Sequence, residues 1–392
     1  MKRIFSSILA AVIAFTMVSP AAFANENEDH VTVNSLANNA SSAILIERDT
    51  GSVLFDKNAD EKLPPASMTK IMTMILVMEA LHKGKINMKD KVRTSEYAAS
   101  MGGSQIFLEA GEEMTVEEML KGIALASGND ASVALGEHIA GTNDAFVNMM
   151  NEKAKQLGLK NTNFENATGL PGKEHYSTAR DMALMAKELL KYEQITKYTG
   201  KYEDYLRENT DKKFWLVNTN KLVKFYPGVD GLKTGYTHEA KYCLTATAKK
   251  NGMRVIAVVM GAPTTKERNA QVTQMLDYAF ANYATQKLYD RHQMIETIDV
   301  PKGDSKTVQM ATSEPISILM KKGEKKLKLH TEIKVKKNIK MPIEKGDRLG
   351  TLVVKNNGKT LTESALVASE NVQSANWWGL FKRTVGKFSQ TP

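Results

Sequence analysis

The sequence predicts an α+β protein: an antiparallel sheet flanked by helices, with an all-helical subdomain, then a small C-terminal all-β domain and an amphipathic tail helix. Three observations predict it. β-like runs occur on both sides of a long helical block, Ala43–Glu47 and Ser52–Asp56 before it and Val229–Gly261 after it, so the chain leaves one sheet and rejoins it. Short connections such as Asn251-Gly252 make that sheet largely antiparallel. After about Tyr289 the pattern changes to short alternating runs separated by turns.

The elements follow in order. In residues 1–24, Lys2 and Arg3 precede an apolar run from Ile4 to Val18, and Ala22-Phe23-Ala24 has the small-x-small form of a cleavage site. A secretory signal peptide removed after Ala24 is expected; a retained membrane anchor is the alternative, and the run is short for one. Residues 25–40 are polar. Asp49-Thr50-Gly51 turns the first hairpin, and Pro64-Pro65 stops the strand and leads into an apolar helix from Ile71 to Leu81. Residues 92–114 read as short strands and loops. Thr115-Val116-Glu117-Glu118 is a capping box that opens a helix ending at Ser127-Gly128-Asn129-Asp130. Helices follow over Ala131–Ala140, from Thr142 to Gly158, and from Ser177 to about Tyr192, with a polar loop at 161–176. Residues 193–226 show no clear period. Strands are expected at Val229–Thr237, Tyr242–Lys249 and Met253–Gly261; Thr264–Glu267 reads as a second capping box, opening a helix to about Tyr283. Runs at Glu296–Val300, Ile316–Met320, Leu327–Val335 and Leu349–Val354 mark an all-β domain over 292–367, behind a first domain of 25–291. In the tail, 371–390, Trp377, Phe381, Val385 and Phe388 recur at helical spacing while Lys382, Arg383 and Lys387 lie off that line. This is the pattern of a helix lying in a membrane surface, although a helix packed on its own protein shares it.

Composition limits the function classes. The 42% hydrophobic and 25% charged fractions are those of a soluble globular protein. The single cysteine, Cys243, permits no disulfide within the chain, so stability must come from the core, and its apolar surroundings mark it as a buried small hydrophobe. Loss of Lys2 and Arg3 with the leader takes the formal charge from +9 to +7, which suits an anionic membrane face or cell wall. Nucleic acid is not expected, because no dense Lys/Arg block with interleaved aromatics is present. The seven histidines are scattered and no Gly-rich phosphate loop occurs, so neither metal nor cofactor is expected; His238 reads as a surface residue.

Three short stretches carry chemistry. Pro64-Pro65-Ala66-Ser67-Met68-Thr69-Lys70 sets a serine and a lysine one helical turn apart, at the head of a helix that is apolar on nearly every side. A serine hydroxyl is a poor nucleophile at neutral pH; an amine kept neutral by burial can take its proton. Lys70 is therefore predicted to be buried and neutral. Ser127-Gly128-Asn129 supplies a hydroxyl and an amide that could relay a proton and fix a peptide, though by itself it could be a plain helix C-cap. Lys233-Thr234-Gly235 lies on a strand, where lysine and threonine can hold a carboxylate and the glycine lets substrate approach the strand edge. Alone it is equally consistent with an exposed strand face.

Together, in this order and on these elements, Ser-x-x-Lys, Ser-x-Asn and Lys-Thr-Gly are similar to the signature of penicillin-binding proteins and class A β-lactamases. The chain resembles the low-molecular-mass penicillin-binding proteins that are D-alanyl-D-alanine carboxypeptidases over nearly its whole length after Ala24. The resemblance extends to Gly228–Leu232, the Cys243–Ala248 strand, the β-rich second domain and the tail. It departs at Gly128, where the β-lactamase form has aspartate, and at Lys241, where glycine is expected; the first points to the carboxypeptidase branch. The resemblance implies a β-lactamase/transpeptidase-like fold and a serine acyl transfer. Ser67 would attack the carbonyl between the two terminal D-alanines of a peptidoglycan stem peptide, Lys70 would act as base, and Ser127 would protonate the departing D-alanine. Asn129, Lys233, Thr234, Gly235 and Tyr236 would bind substrate, Lys233 and Thr234 at its carboxylate, and the backbone amides of Ser67 and Tyr236 would form the oxyanion hole. Penicillins and other β-lactams would trap Ser67. The resemblance further implies an exported protein held peripherally on the outer face of the cytoplasmic membrane by residues 371–390. The rival readings are a β-lactamase-like hydrolase, which would release hydrolysed penicillin quickly, and a non-catalytic peptidoglycan-binding protein, against which the intact site residues speak.

Overall fold

The computed structural model describes residues 35–324 and 327–377. The predicted signal peptide, 1–24, lies outside the described residues. The chain begins with a hairpin of β1 (Ser42–Glu47) and β2 (Val53–Lys57). After Pro64-Pro65, one 3₁₀ turn (Ala66–Thr69) feeds α1 (Lys70–His82). The helical block comprises β3 (Lys91–Arg93), α2 (Glu96–Ala99), β4 (Glu113–Thr115), α3 (Val116–Lys121), α4 (Asn129–Ala140), α5 (Asn143–Gln156), α6 (Ala179–Leu189) and α7 (Thr196–Thr199). A hairpin of β5 (Glu203–Leu206) and β6 (Phe214–Val217) and a short α8 (Leu222–Phe225) follow. The chain then rejoins the sheet with β7 (Val229–Thr237), β8 (Lys241–Lys250) and β9 (Met253–Ala262), and covers it with α9 (Thr265–Asn282).

The sheet has the order β2-β1-β9-β8-β7 and is antiparallel throughout, so the two ends of the domain meet at the β1–β9 pair, as expected. Both faces are covered. Ile44 and Ile46 of β1 and Ile256 and Val258 of β9 join the core built around α1, whereas Ala43, Leu45, Ala257 and Val259 join the core under α9. Burial on both faces is why these strands read as continuous apolar runs rather than alternating ones. Every residue of α1 from Lys70 to Met78 is buried, so the helix passes through the middle of the domain.

The Thr115 box forms in full: Thr115 Oγ1 accepts from Glu118 N–H and Glu118 Oε2 accepts from Thr115 N–H. The second box forms by half. Thr264 Oγ1 accepts from Glu267 N–H at 3.1 Å, but the buried Glu267 Oε2 has no hydrogen-bond partner among the described residues. The unpatterned stretch 193–226 contains β5 and β6; four-residue strands are too short for alternation to emerge from the sequence.

The C-terminal region holds β10 (Tyr283–Tyr289), β11 (Met294–Asp299), β12 (Thr307–Thr312), β13 (Ile316–Lys321), β14 (Leu329–Val335), β15 (Arg348–Asn356) and β16 (Lys359–Ala368). A sheet of order β11-β12-β16-β15-β14 packs around Val308, Met310, Ile318, Leu352, Val354 and Leu366, and β10 pairs with β13. Residues 371–376 are not helical: Val372 bridges to Ile343 and Ser374 to Gly303, tying this stretch to the domain. The expected tail helix therefore starts no earlier than Trp377, and 378–390 lies outside the described residues. No helix among the described residues is long and apolar enough to cross a membrane.

Candidate active site

Ser67 sits in the 3₁₀ turn and Lys70 is the first residue of α1. Lys70 Nζ lies 2.9 Å from Ser67 Oγ, 2.6 Å from Asn129 Oδ1 and 2.8 Å from the Thr168 carbonyl oxygen. The side chain is fully buried. Two of its three neighbours are carbonyl oxygens, which can only accept. A neutral amine has two N–H bonds and one lone pair; the carbonyls take both N–H bonds and leave the lone pair to the serine hydroxyl. Burial, assisted by the charge of Lys233, holds the Lys70 pKa well below its ordinary value, with Asp130 pulling the other way.

Ser127 and Asn129 come from the end of the helical block. After α3, a turn of π-helix (Gly122–Ala126) passes to Ser127, whose backbone is left-handed at φ 65. Its hydroxyl is buried without a hydrogen-bond partner among the described residues. A left-handed non-glycine residue costs about 1–2 kcal/mol and a buried unsatisfied polar group about 1–3 kcal/mol, so two unfavourable features converge on one side chain. Asn129 is already the first residue of α4, so the loop is only Ser127-Gly128. While Asn129 Oδ1 faces Lys70, its Nδ2 donates to the Gly102 carbonyl at 2.6 Å and its backbone N–H to that of Ser104 at 2.7 Å.

The third stretch lies on β7, an edge strand. Lys233 is buried, with Nζ donating to the Thr234 carbonyl at 3.1 Å; burial and then Arg268 lower its pKa to about 7. Thr234 Oγ1 donates to Thr219 Oγ1 at 2.8 Å. Tyr236 is exposed, its ring 4.5 Å from that of Tyr242. Gly235 is required first by the protein itself: a Cβ there would lie 2.7 Å from the Pro65 carbonyl oxygen and 3.1 Å from Ala66 Cβ. Its missing side chain lets β7 lie against the nucleophile turn, a reason different from the substrate approach expected from sequence.

Several contributors were not read from the sequence. The loop 161–176 supplies the Thr168 carbonyl, and Asn166 Oδ1 shapes it by accepting from Thr168 N–H, Thr168 Oγ1 and Gly169 N–H. At Gly169 (φ 83) an added Cβ would lie 1.8 Å from the Ala66 carbonyl oxygen, so backbone packs directly on backbone behind Ser67. His175 anchors the loop. Its Nδ1 accepts from Glu165 N–H, so Nε2–H donates to Thr69 Oγ1 at 2.8 Å, and burial lowers its pKa to about 4. Arg268, on α9, is buried and donates to Asn269 Oδ1, with no carboxylate in ion-pair range among the described residues. Burial lowers its pKa to about 10. A signal for Arg268 existed: it shares the i, i+4, i+7 stripe with Val272 and Met275, which are buried.

Residues 29–264 match the family described as D-alanyl-D-alanine carboxypeptidase. The chain belongs to the D-alanyl-D-alanine carboxypeptidase family. Residues 283–374 match the C-terminal domain of penicillin-binding protein 5. Among relatives, D-alanyl-D-alanine carboxypeptidase DacF of Bacillus subtilis (strain 168) is 63% identical over 390 residues, covering 100% of each chain. Among solved structures, penicillin binding protein 5 from Haemophilus influenzae is 33% identical with a TM-score of 0.67, covering 86% of this chain and 98% of that one. Penicillin-binding protein D2 from Listeria monocytogenes, solved in the ampicillin-bound form, is 30% identical with a TM-score of 0.56, covering 62% of this chain and 98% of that one.

For this member of the D-alanyl-D-alanine carboxypeptidase family, the departure at Lys241 has a backbone description. Lys241 opens β8 opposite Thr237 and stands at φ 54, in the left-handed region that a glycine enters freely. His238, on the same turn, is exposed.

Proposed function

We propose that this D-alanyl-D-alanine carboxypeptidase removes the C-terminal D-alanine from peptidoglycan stem peptides through an acyl-enzyme on Ser67. The observation that carries the assignment is the buried Lys70 amine, its two N–H bonds facing carbonyl oxygens and its third contact being Ser67 Oγ at 2.9 Å. Ser67 Oγ attacks the carbonyl carbon of the penultimate D-alanine while Lys70 Nζ takes its proton. The backbone amides of Ser67 and Tyr236 receive the oxyanion. The C–N bond breaks as the nitrogen of the leaving D-alanine gains a proton through Ser127, whose hydroxyl is otherwise without a partner among the described residues. Water then attacks the ester, and Ser67 recovers its proton. Asn129 orients the peptide; Thr234, with the charges of Lys233 and Arg268 behind it, holds the terminal carboxylate. A β-lactam presents a similar amide and carboxylate and would acylate Ser67, in keeping with the ampicillin-bound relative.

The same reading places the protein outside the cytoplasm after loss of 1–24. The catalytic unit runs from 25 to the end of α9, the β-rich spacer takes in β10 to β16, and 371–390 is the segment attached to the outer face of the membrane, its helical part beginning at or after Trp377. The test is release of D-alanine from diacetyl-Lys-D-Ala-D-Ala. The unmutated protein should release it and hold a long-lived penicillin adduct, and Ser67→Ala should lose about 10³-fold or more in kcat. Absence of D-alanine release by the unmutated protein overturns the activity, and a labelled penicillin bound covalently to Ser67→Ala overturns the nucleophile. Removal of 371–392 should free the protein from membranes; continued attachment would put the anchor elsewhere.

A further inference from the structure

Lys241 combines three properties. Its backbone is left-handed at φ 54, a conformation that disfavours any side chain by about 1–2 kcal/mol. It is exposed, and no ion pair or hydrogen bond engages its ammonium group among the described residues. Its position is fixed by the sheet: as the first residue of β8 it opposes Thr237, while Cys243, two residues on, opposes Gly235. Side chains two apart on a strand share a face. At Gly235 that face is the one on which Pro65 and Ala66 pack, so the face that Cys243 continues lies on the side of the nucleophile turn, and Lys241 stands at the end of that strand. Strain retained at an exposed, unpartnered residue beside a cleft is a reason to look for a function.

The direction of the bound peptide decides what Lys241 can reach. With the terminal carboxylate at Thr234 and the scissile carbonyl oxygen at the amide of Tyr236, the residues upstream run on past Thr237 toward the β7–β8 turn. That is where Lys241 stands. The turn also carries Glu239 and His238, and the exposed Tyr236 ring lies at its base. We infer that Lys241 is a specificity-determining residue, a cation that selects peptides bearing a carboxylate upstream of the two D-alanines. This inference rests on the carboxypeptidase reading above.

The experiment compares two peptides that differ by one group: acetyl-Glu-Lys(acetyl)-D-Ala-D-Ala and its Gln counterpart. At low salt the unmutated protein should favour the Glu peptide by about twofold to fivefold in kcat/KM, the range of an exposed ion pair, and 0.5 M NaCl should shrink the preference. Lys241→Gly, which suits the backbone, should abolish the preference and leave the Gln peptide within about twofold. Lys241→Glu should reverse it. Equal use of the two peptides by the unmutated protein, or a preference that survives Lys241→Gly, overturns the inference. Failure of the carboxypeptidase reading would look different, because neither peptide would yield D-alanine.

Discussion

Lys70 and Lys233 bring opposite demands into one site. In the proposed reaction Lys70 would lack a proton so as to receive that of Ser67, whereas Lys233 would carry one to hold a carboxylate. Burial lowers the pKa of both, and Lys233 adds its charge to the effect on Lys70. Burial and then Arg268 bring Lys233 to about 7, close to neutrality. It is charged below that value, so in the proposed role activity should fall as the pH rises through it. In assays with diacetyl-Lys-D-Ala-D-Ala, kcat/KM should show a basic limb near pH 7. The limb of kcat should lie higher, because a bound carboxylate favours the protonated lysine. Lys233→Arg, charged throughout, should remove the limb; a limb that persists near pH 7 in that variant assigns the titration to another group. At this scale the sequence was informative where side chains recur in a short motif, and Asn166, His175 and Arg268, which lie outside one, went unread. Lys70 meets Ser67 and Asn129 directly, Ser127 stands two residues before Asn129, and Lys233 and Thr234 lie on β7. The third contact of Lys70 is a backbone carbonyl, which every residue has and no letter marks.

The loop 161–176 shows how an element without regular structure can position a nucleophile. It touches the site from behind through Thr168 and Gly169, and His175 fastens it to Thr69, one residue before Lys70. The neutral imidazole is required, since Nδ1 accepts from Glu165 N–H. With a folded-state pKa of about 4 against an ordinary 6.5, the unfolded chain takes up a proton first. Stability is therefore fully present above pH 6.5 and declines as the pH falls toward 4, by an amount on the order of 2–3 kcal/mol. Urea denaturation at pH 7.0 and 4.5 should show the loss, and His175→Gln should reduce the difference between the two pH values. An undiminished difference in that variant would place the titration elsewhere. Elements of this kind escape sequence reading because their role is set by contacts across the chain. By contrast β7, β8 and β9 were legible almost to the residue: they are long, apolar and joined at Asn251-Gly252, both at positive φ. β10, β12 and β16 were not, because their residues mix polar and apolar types over a thin core.

At the scale of the whole molecule, the β-rich region is joined to the catalytic domain without a linker, since β10 begins at the residue after α9 ends. A charge cluster reinforces the joint at the end of the sheet remote from Ser67. Arg48, at the end of β1, donates to Asp49, to the Leu190 carbonyl at 3.1 Å and to Glu314 at 3.0 Å. Arg291 donates to the same Glu314 carboxylate and to the Lys191 carbonyl, so two guanidinium groups share one anion and the carbonyl end of α6. Asp49 also accepts from Ser317 Oγ on β13 at 2.8 Å. A fixed joint would set the distance between the cleft and the far end of the β-rich region, so its rigidity would matter more for reach than for chemistry. Glu314→Ala would leave two largely buried cations facing each other with one carboxylate fewer, a loss of about 1–3 kcal/mol at the junction. The expected result is an earlier thermal transition of the β-rich region and a larger radius of gyration in solution scattering, with kcat/KM on diacetyl-Lys-D-Ala-D-Ala within about twofold of the unmutated protein. An equal fall in activity would mean that the joint and the cleft are coupled through β1 and β9. An unchanged radius and melting profile would mean that the α9–β10 continuity alone holds the two parts together.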